Sequence, residues 1–214
     1  MKMRRFILVF CAMFIFVSQS FAASATAIIR GTTEGSTIFG VAYLTEKNEG
    51  LDVQVALLNV PPGKHGFHIH EKGDCSDVGK AAGGHYNPQN VLHGLITRDG
   101  MEHAHPGDFG NVEISPTGSG LIQAFVPHLT LTGEKFNVAG LSFILHEKED
   151  DFSQPTGNAG ARIGCGIIQL TLDSYPQVQL PKPMSVEESV NKIKADLQST
   201  TDSIGDSMQK TGGK

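Results

Sequence analysis

The sequence is short of positive charge, of cysteine and of long apolar runs, and each shortage removes a class of function. Its 17 lysines and arginines are outnumbered by 22 aspartates and glutamates. That balance argues against nucleic acid, whose binding proteins cluster basic residues. The one long apolar run, Phe6 to Val17, falls well under the ~20 residues a helix needs to span a bilayer. Lys2, Arg4 and Arg5 precede it, and Ser20 and Ala22 follow as a small-x-small pair. This is the layout of a secretory signal peptide, predicted over residues 1–22 with Ala25 as an alternative cleavage point. The mature chain then has no transmembrane segment. The leader takes three of the 17 basic residues and none of the 22 acidic ones, which leaves 14 against 22 and a formal charge of −8. It also takes Cys11, so that Cys75 and Cys165 remain of three cysteines. These two allow one intramolecular pairing, which an oxidising compartment permits.

What is present is mostly β-type. From Ala25 to Leu172, short runs rich in Val, Ile, Phe and Thr recur: "TAIIRG", "STIFGVAYLTE", "LDVQVALLNV", "GFHIHE", "GNVEIS", "GLIQAFVPHLTL", "GLSFILHE" and "ARIGCGIIQLTL". Gly, Pro, Asn and Asp punctuate them. In "LDVQVALL", Val53, Val55 and Leu57 alternate with Asp52, Gln54 and Ala56, the pattern of a strand with one buried face. The eight runs predict an all-β domain over residues 23–172, a sandwich or flattened barrel.

Two stretches break the pattern. Residues 71–110 hold four histidines and many glycines, and residues 147–162 are polar throughout. Long loops in a small β domain are either functional or disordered, and the chemistry is expected here. After Leu172 comes a proline-bearing linker over residues 173–184, then a tail over 185–214. Ser185 and Glu188 make an S-x-x-E capping box, and Val186, Val190, Ile193, Leu197, Ile204 and Met208 form a narrow stripe at helical spacing. A helical or disordered tail is predicted, and a helical one would serve docking or oligomerisation. It lacks the basic face of a helix that lies on a membrane.

Alternate side chains on a strand share a face, so "GFHIHE" projects His68 and His70 together while Phe67 and Ile69 point the other way. Two imidazoles on one rigid face are half a metal site. "GGHYNPQNVLHG" adds His85 and His93, "HAHPGDFGN" adds His103, His105 and Asp108, and His146 ends "GLSFIL". Of nine histidines, only His128 stands apart from the two loops and the strands that feed them. Neutral imidazole is the commonest metal ligand, and such a set suits copper, zinc, iron or nickel. A cupin also carries H-x-H on a β scaffold, but its glutamate follows a few residues later, whereas Glu71 is adjacent.

The motifs "GFHIHEKGDC", "GGHYNP", "HPGDFGN", "GLSFILHEKEDD" and "GNAGARIGCG", in that order, resemble those of the copper/zinc superoxide dismutase family over residues 26–170. The resemblance implies an eight-stranded Greek-key β-sandwich or flattened barrel with two long functional loops. It implies copper on His68, His70, His85 and His146, and zinc on His85, His93, His105 and Asp108, with His85 shared. His105 is preferred to His103 because the family spacing H-x-x-D is met by "HPGD". Asp150 resembles the carboxylate that links a copper histidine, here His68, to a zinc histidine, here His93. Arg162 resembles the arginine that attracts the anionic substrate, and Cys75 and Cys165 the disulfide that ties the first loop to the last strand. His65, His103 and His128 are expected at the surface.

The implied reaction converts superoxide to O₂ and H₂O₂ by Cu(II)/Cu(I) cycling, with His85 delivering a proton and zinc acting structurally. The alternative is a non-enzymatic copper-binding or copper-carrying relative, which would normally lack some ligands or the arginine. Two features depart from the eukaryotic pattern. Cys75 follows "EKGD" directly, as in bacterial members, which together with the leader predicts a periplasmic or secreted protein. The second loop holds Lys148 and Arg162 against Glu147, Glu149, Asp150 and Asp151, so Lys72 or Lys80 is expected to help guide superoxide. A homodimer and a tail-mediated oligomer are both compatible with the sequence.

Overall fold

The structure, a computed structural model, describes residues 22–171. The leader up to residue 21, the linker and the tail lie outside the described residues. Each of the eight runs forms a strand: β1 (Ser24–Gly31), β2 (Phe39–Lys47), β3 (Gly50–Leu58), β4 (Gly63–His70), β5 (Asp108–Ile114), β6 (Gly120–Pro127), β7 (Ser142–His146) and β8 (Arg162–Ile167). A two-residue β9 (Gln169–Leu170) pairs with β1. It parts from β8 at Ile168, whose N–H and C=O turn away to Leu141 and Gly140.

All the strand pairs are antiparallel, in the order β5-β4-β7-β8-β1-β2-β3-β6. The first three strands form a meander. The chain then crosses to lay down β4 and β5, returns beside β3 with β6, and crosses again to put β7 on the free side of β4. That return of a strand to lie beside a non-consecutive one is Greek-key topology. The end strands β5 and β6 approach each other and nearly close a barrel. They are joined by a tight turn in which the Ser115 N–H donates to the Ser119 carbonyl at 2.8 Å. The apolar run that continues to Leu131 leaves the sheet after Pro127. Proline has no N–H to give a ladder, and the next residue, His128, is left-handed at φ 67.

The core follows from strand alternation. Val53, Val55 and Leu57 are buried while Gln54 and Ala56 face solvent. Phe67 and Ile69 of β4 point inward, with Phe67 stacked on Phe143 at 5.0 Å and edge-on to Phe109 at 6.4 Å. On β4 and β7 the alternation disappears: His65 to His70 and all five residues of β7 are buried. The second face of these strands is covered by the two long loops, so His68 and His70 lie outside the barrel yet out of water. Two register shifts lie between described strands: from Gly66–Asn111 to His68–Asp108 the extra residue is on β5, and from Leu145–Gly164 to His146–Arg162 it is on β8. A bulge bends its strand and re-aims side chains, and these fall beside Asp108 on β5 and Arg162 on β8, each opposite a histidine expected to bind metal.

Leu57→Ala is expected to destabilise the protein by about 2–5 kcal/mol, the cost of a cavity in a packed core. Gln54→Ala, on the same strand but facing solvent, should stay within about 0.5 kcal/mol of the parent. Guanidinium unfolding of the two variants side by side checks the assignment of the faces.

Candidate metal centre

Strand β4 presents His68 and His70, and β7 ends with His146 beside them. The loop after β4 returns to place His85 against His70, with a single bridge between their backbones. The ring centroid of His68 lies 4.1 Å from that of His85 and 5.0 Å from that of His146, and those of His70 and His85 are 5.0 Å apart. One nitrogen from each of the four rings falls within 4.8 Å of the others.

Hydrogen bonds fix which nitrogen that is. His68 Nε2 lies 2.8 Å from a carboxylate oxygen of Asp150, His70 Nδ1 3.0 Å from the Gly83 carbonyl, and His146 Nδ1 3.4 Å from the Gly160 carbonyl. Those oxygens only accept, so each of these nitrogens carries the proton and the other nitrogen carries a lone pair. The opposite atoms, His68 Nδ1, His70 Nε2 and His146 Nε2, are buried with no hydrogen-bond partner. Buried polar atoms are nearly always paired. Three converging lone pairs without a donor are what a cation would satisfy.

A second set centres on Asp108, which has no solvent exposure. Its carboxylate receives His85 Nδ1 at 2.8 Å, His93 Nδ1 at 2.7 Å and His105 Nδ1 at 3.1 Å, together with the backbone N–H groups of Gly94 and His105. Burial alone would raise its pKa, but the hydrogen bonds from His105, His85 and His93 hold it well below the usual carboxylate range. Three imidazoles and one carboxylate make a four-ligand donor set of the type that holds structural zinc. His85 belongs to both sets: Nδ1 faces Asp108, which leaves Nε2 for the first set. His93 has a carboxylate on each side, with Nδ1 toward Asp108 and Nε2 3.0 Å from Asp150. Burial would lower its pKa, but hydrogen bonds to the two carboxylates raise it to about 9. The proton on Nδ1 stands where a metal ion would bind.

Asp150 thus joins the two sets through His68 and His93. Its own backbone is held by Asn111, whose Oδ1 accepts from the Asp150 N–H at 2.7 Å and whose Nδ2 donates to the Asp150 carbonyl at 2.9 Å. Gly157 packs against the Asp150 carboxylate and His93 Nε2 so closely that a Cβ would overlap them, and its φ of 73° favours glycine as well. Arg162 enters from β8. Its guanidinium donates to the carbonyls of Gly79 and Gly83, each at 2.6 Å. The Gly83 carbonyl also accepts from His70, so one peptide group orients both the arginine and a ring of the first set. Cys75 and Cys165 form a disulfide with a Cα–Cα distance of 5.7 Å, which fastens the first loop three residues along the chain from Arg162.

All eleven side chains singled out from the sequence lie in this one region, and His103 and His128 are exposed as expected. His65 corrects the reading: it is buried, with Nδ1 2.9 Å from the His146 carbonyl and Nε2 2.8 Å from the Pro61 carbonyl. Whichever ring nitrogen carries the proton has a backbone oxygen to receive it in place of water. The sequence reading also gave no role to Asn111, Phe152, Gln154 or Gly157. Asn111 and Gly157 sit inside recognisable motifs. Phe152 and Gln154 carry no local signal, because their partners are far along the chain.

An antiparallel barrel that buries six histidines and an aspartate as two donor sets sharing a ring defines a two-metal protein of the all-β class. The sequence model of the family described as copper/zinc superoxide dismutase matches residues 38–168, and the chain belongs to that family. It is 39% identical to "Superoxide dismutase [Cu-Zn] 2" of Aquifex aeolicus over 71% of this chain and 89% of that one. It is 35% identical to "Extracellular superoxide dismutase [Cu-Zn]" of Caenorhabditis elegans over 69% of this chain and 72% of that one. Among solved structures, the clock protein EA4 aligns with a TM-score of 0.63 and 34% identity, over 71% of this chain and 97% of that one.

The metal-free protein should be least stable in acid. Burial lowers the pKa of His70 to about 2, of His146 to about 3 and of His85 to about 4. Unfolding frees these rings to titrate near 6.5, so between pH 6.5 and 4 the unfolded chain binds more protons and stability falls as pH falls. His93 works the other way, since its raised pKa costs stability as pH rises from 6.5 through 9. Urea midpoints of the metal-free protein are therefore expected to peak near pH 7 and to drop clearly by pH 5. A flat profile over that range would contradict the buried neutral rings.

Proposed function

We propose that His68, His70, His85 and His146 hold copper, that His85, His93, His105 and Asp108 hold zinc, and that His85 is shared between them. The enzyme converts two superoxide ions and two protons to O₂ and H₂O₂. The observation that carries the assignment of ligands is the trio of partnerless nitrogens, His68 Nδ1, His70 Nε2 and His146 Nε2, each on a ring whose other nitrogen is already committed. Copper, when bound, supplies a one-electron couple that accepts from one superoxide and donates to the next, while zinc supplies a fixed charge without redox chemistry.

The chain's own groups do the rest. Asp150 sets the tautomers of His68 and His93 at once, and such partners fix the direction of a ligand ring. His85, slightly exposed at 8%, is placed to take up a proton at Nε2 and hand it to the reduced oxygen, a general-acid role. Arg162 holds a positive charge beside His70, in place to attract and orient a small anion.

Attraction must overcome a net negative mature chain, and the second loop adds acids of its own. Three of its four acids are engaged elsewhere. Glu149 pairs with Lys64 at 2.9 Å, Asp151 accepts from the Ser153 N–H and the Asn158 amide, and Asp150 serves the histidines. Lys72 and Lys80 are exposed, and the Lys80 carbonyl also accepts from Arg162. Both lysines are assigned a guiding role.

Export to a periplasmic or secreted location is supported by the leader pattern and the disulfide. Relatives from Caenorhabditis elegans, Haemonchus contortus and Drosophila melanogaster carry the word "extracellular" in their names. Among the described residues no helix is long and apolar enough to cross a membrane. Self-association, as a homodimer or through residues 173–214, is a further proposal; sizing the protein with and without those residues tests it.

Reconstitution with copper and zinc should give one of each per chain and rapid superoxide consumption in stopped flow. Metal binding without consumption would favour a copper carrier instead. Arg162→Ala should lower the rate by about 10-fold, the low end of what a focused local field supplies. Lys72→Ala and Lys80→Ala should each cause a smaller drop and flatten the dependence on ionic strength. Unchanged rates and salt profiles in both lysine variants would remove them from that role.

A further inference from the structure

The backbone of His93 is held by a side chain 61 residues away. The His93 N–H donates to Gln154 Oε1 at 3.0 Å, and Gln154 Nε2 donates to the His93 carbonyl, also at 3.0 Å. Both hydrogen-bonding groups of one residue's main chain are thereby paired with a single amide. His93 lies in a stretch with no strand or helix, where no ladder supplies those partners, and unpaired main-chain groups in such a place are costly.

The same loop reaches the imidazole by two further contacts. Asp150 meets Nε2 at 3.0 Å. Phe152 stacks on the ring with centroids 6.2 Å apart and planes 22° apart, and the Arg98 guanidinium lies over the Phe152 ring at 5.4 Å. Phe152 is held in a left-handed conformation, φ 59, with its N–H donating to Asp150 Oδ1 at 2.8 Å. Three alternate residues, Asp150, Phe152 and Gln154, thus grip the edge, the face and the peptide of His93. With the main chain held by the amide and the ring held at one edge and one face, Nδ1 is directed toward Asp108 at 2.7 Å.

We infer that Gln154 is a positioning residue for zinc: its amide clamps the peptide of His93 and so slows release of the ion, with Phe152 shielding the ring from water. The inference rests on the assignment of His93 to zinc. It makes the second loop a fastener of the zinc ligands as well as the bearer of Arg162.

The test uses the full mature protein with zinc alone, and Gln154→Met, which keeps the length of the side chain and removes both hydrogen bonds. Gln154→Glu keeps the acceptor for the His93 N–H and loses the donor to its carbonyl. Transfer of zinc to a chromogenic chelator should be about 10-fold faster from Gln154→Met, the low end of what outer partners of metal ligands contribute, with Gln154→Glu between it and the parent. Cobalt placed in the zinc site should show altered ligand-field bands in Gln154→Met. Amide exchange at His93 in the metal-free protein should quicken in the same order, a readout that needs no metal. His93→Ala separates the two levels of the argument. If it releases zinc as slowly as the parent, His93 is not a ligand and the zinc assignment falls. If it cannot retain zinc while Gln154→Met releases the ion and exchanges the His93 amide at parental rates, the clamp is overturned.

Discussion

The constraint on which the rest depends is the burial of one carboxylate, Asp108, at the start of β5. A carboxylate removed from water costs several kcal/mol unless charge and hydrogen bonds replace its hydration. Among the described residues no arginine or lysine does so. The replacement comes from three imidazoles and two backbone N–H groups, all carried by the loop that joins β4 to β5. That loop must therefore close over the barrel to bring its histidines in. Once His85 is drawn to Asp108 by Nδ1, its other nitrogen is directed to the rings on β4 and β7, so the second donor set is completed by satisfying the first.

Rigidity is supplied by the barrel and precision by side chains that hold main-chain groups. Strands β4 and β7 are buried on both faces, which locks the rings of His68, His70 and His146 against the sheet. The loops have no ladders, and amides take over that role: Asn111 pairs with the backbone of Asp150, and Gln154 with that of His93. The disulfide between Cys75 and Cys165 closes a separation of 90 residues, worth up to about 4–5 kcal/mol in the chain-entropy account. It also keeps the carbonyls that orient Arg162 next to the strand from which that residue springs. Activity and stability are therefore hard to separate in this protein, because the groups that order the loops are those that aim the rings.

Much of the fold was legible along the chain. The alternation in "LDVQVALL" gave the inner and outer faces of β3, and Gly- and Pro-rich breaks delimited all eight strands. The end of β6 was less legible, since an apolar run continues past Pro127 while the left-handed backbone at His128 carries the chain off the sheet. Histidine content and the H-x-H on β4 exposed the candidate donors, because alternate residues on a strand share a face, and the resemblance to the family, through H-x-x-D, chose His105 among them. His65 was misplaced for the converse reason. Its burial depends on the carbonyls of Pro61 and His146, one of them 81 residues distant, and no residue type announces where a carbonyl will point.

The sequence by itself determined the class of fold, the two irregular loops and the kinds of ligand atoms available, because side-chain periodicity and metal-binding chemistry are properties of residue type and near neighbours. Only the tertiary structure decided which nitrogen of each histidine is free, that Gly83 serves both His70 and Arg162, and that Asn111 and Gln154 brace the loops. Those outcomes turn on hydrogen bonds between groups tens of residues apart, and their geometry exists only once the barrel has brought the strands and loops together.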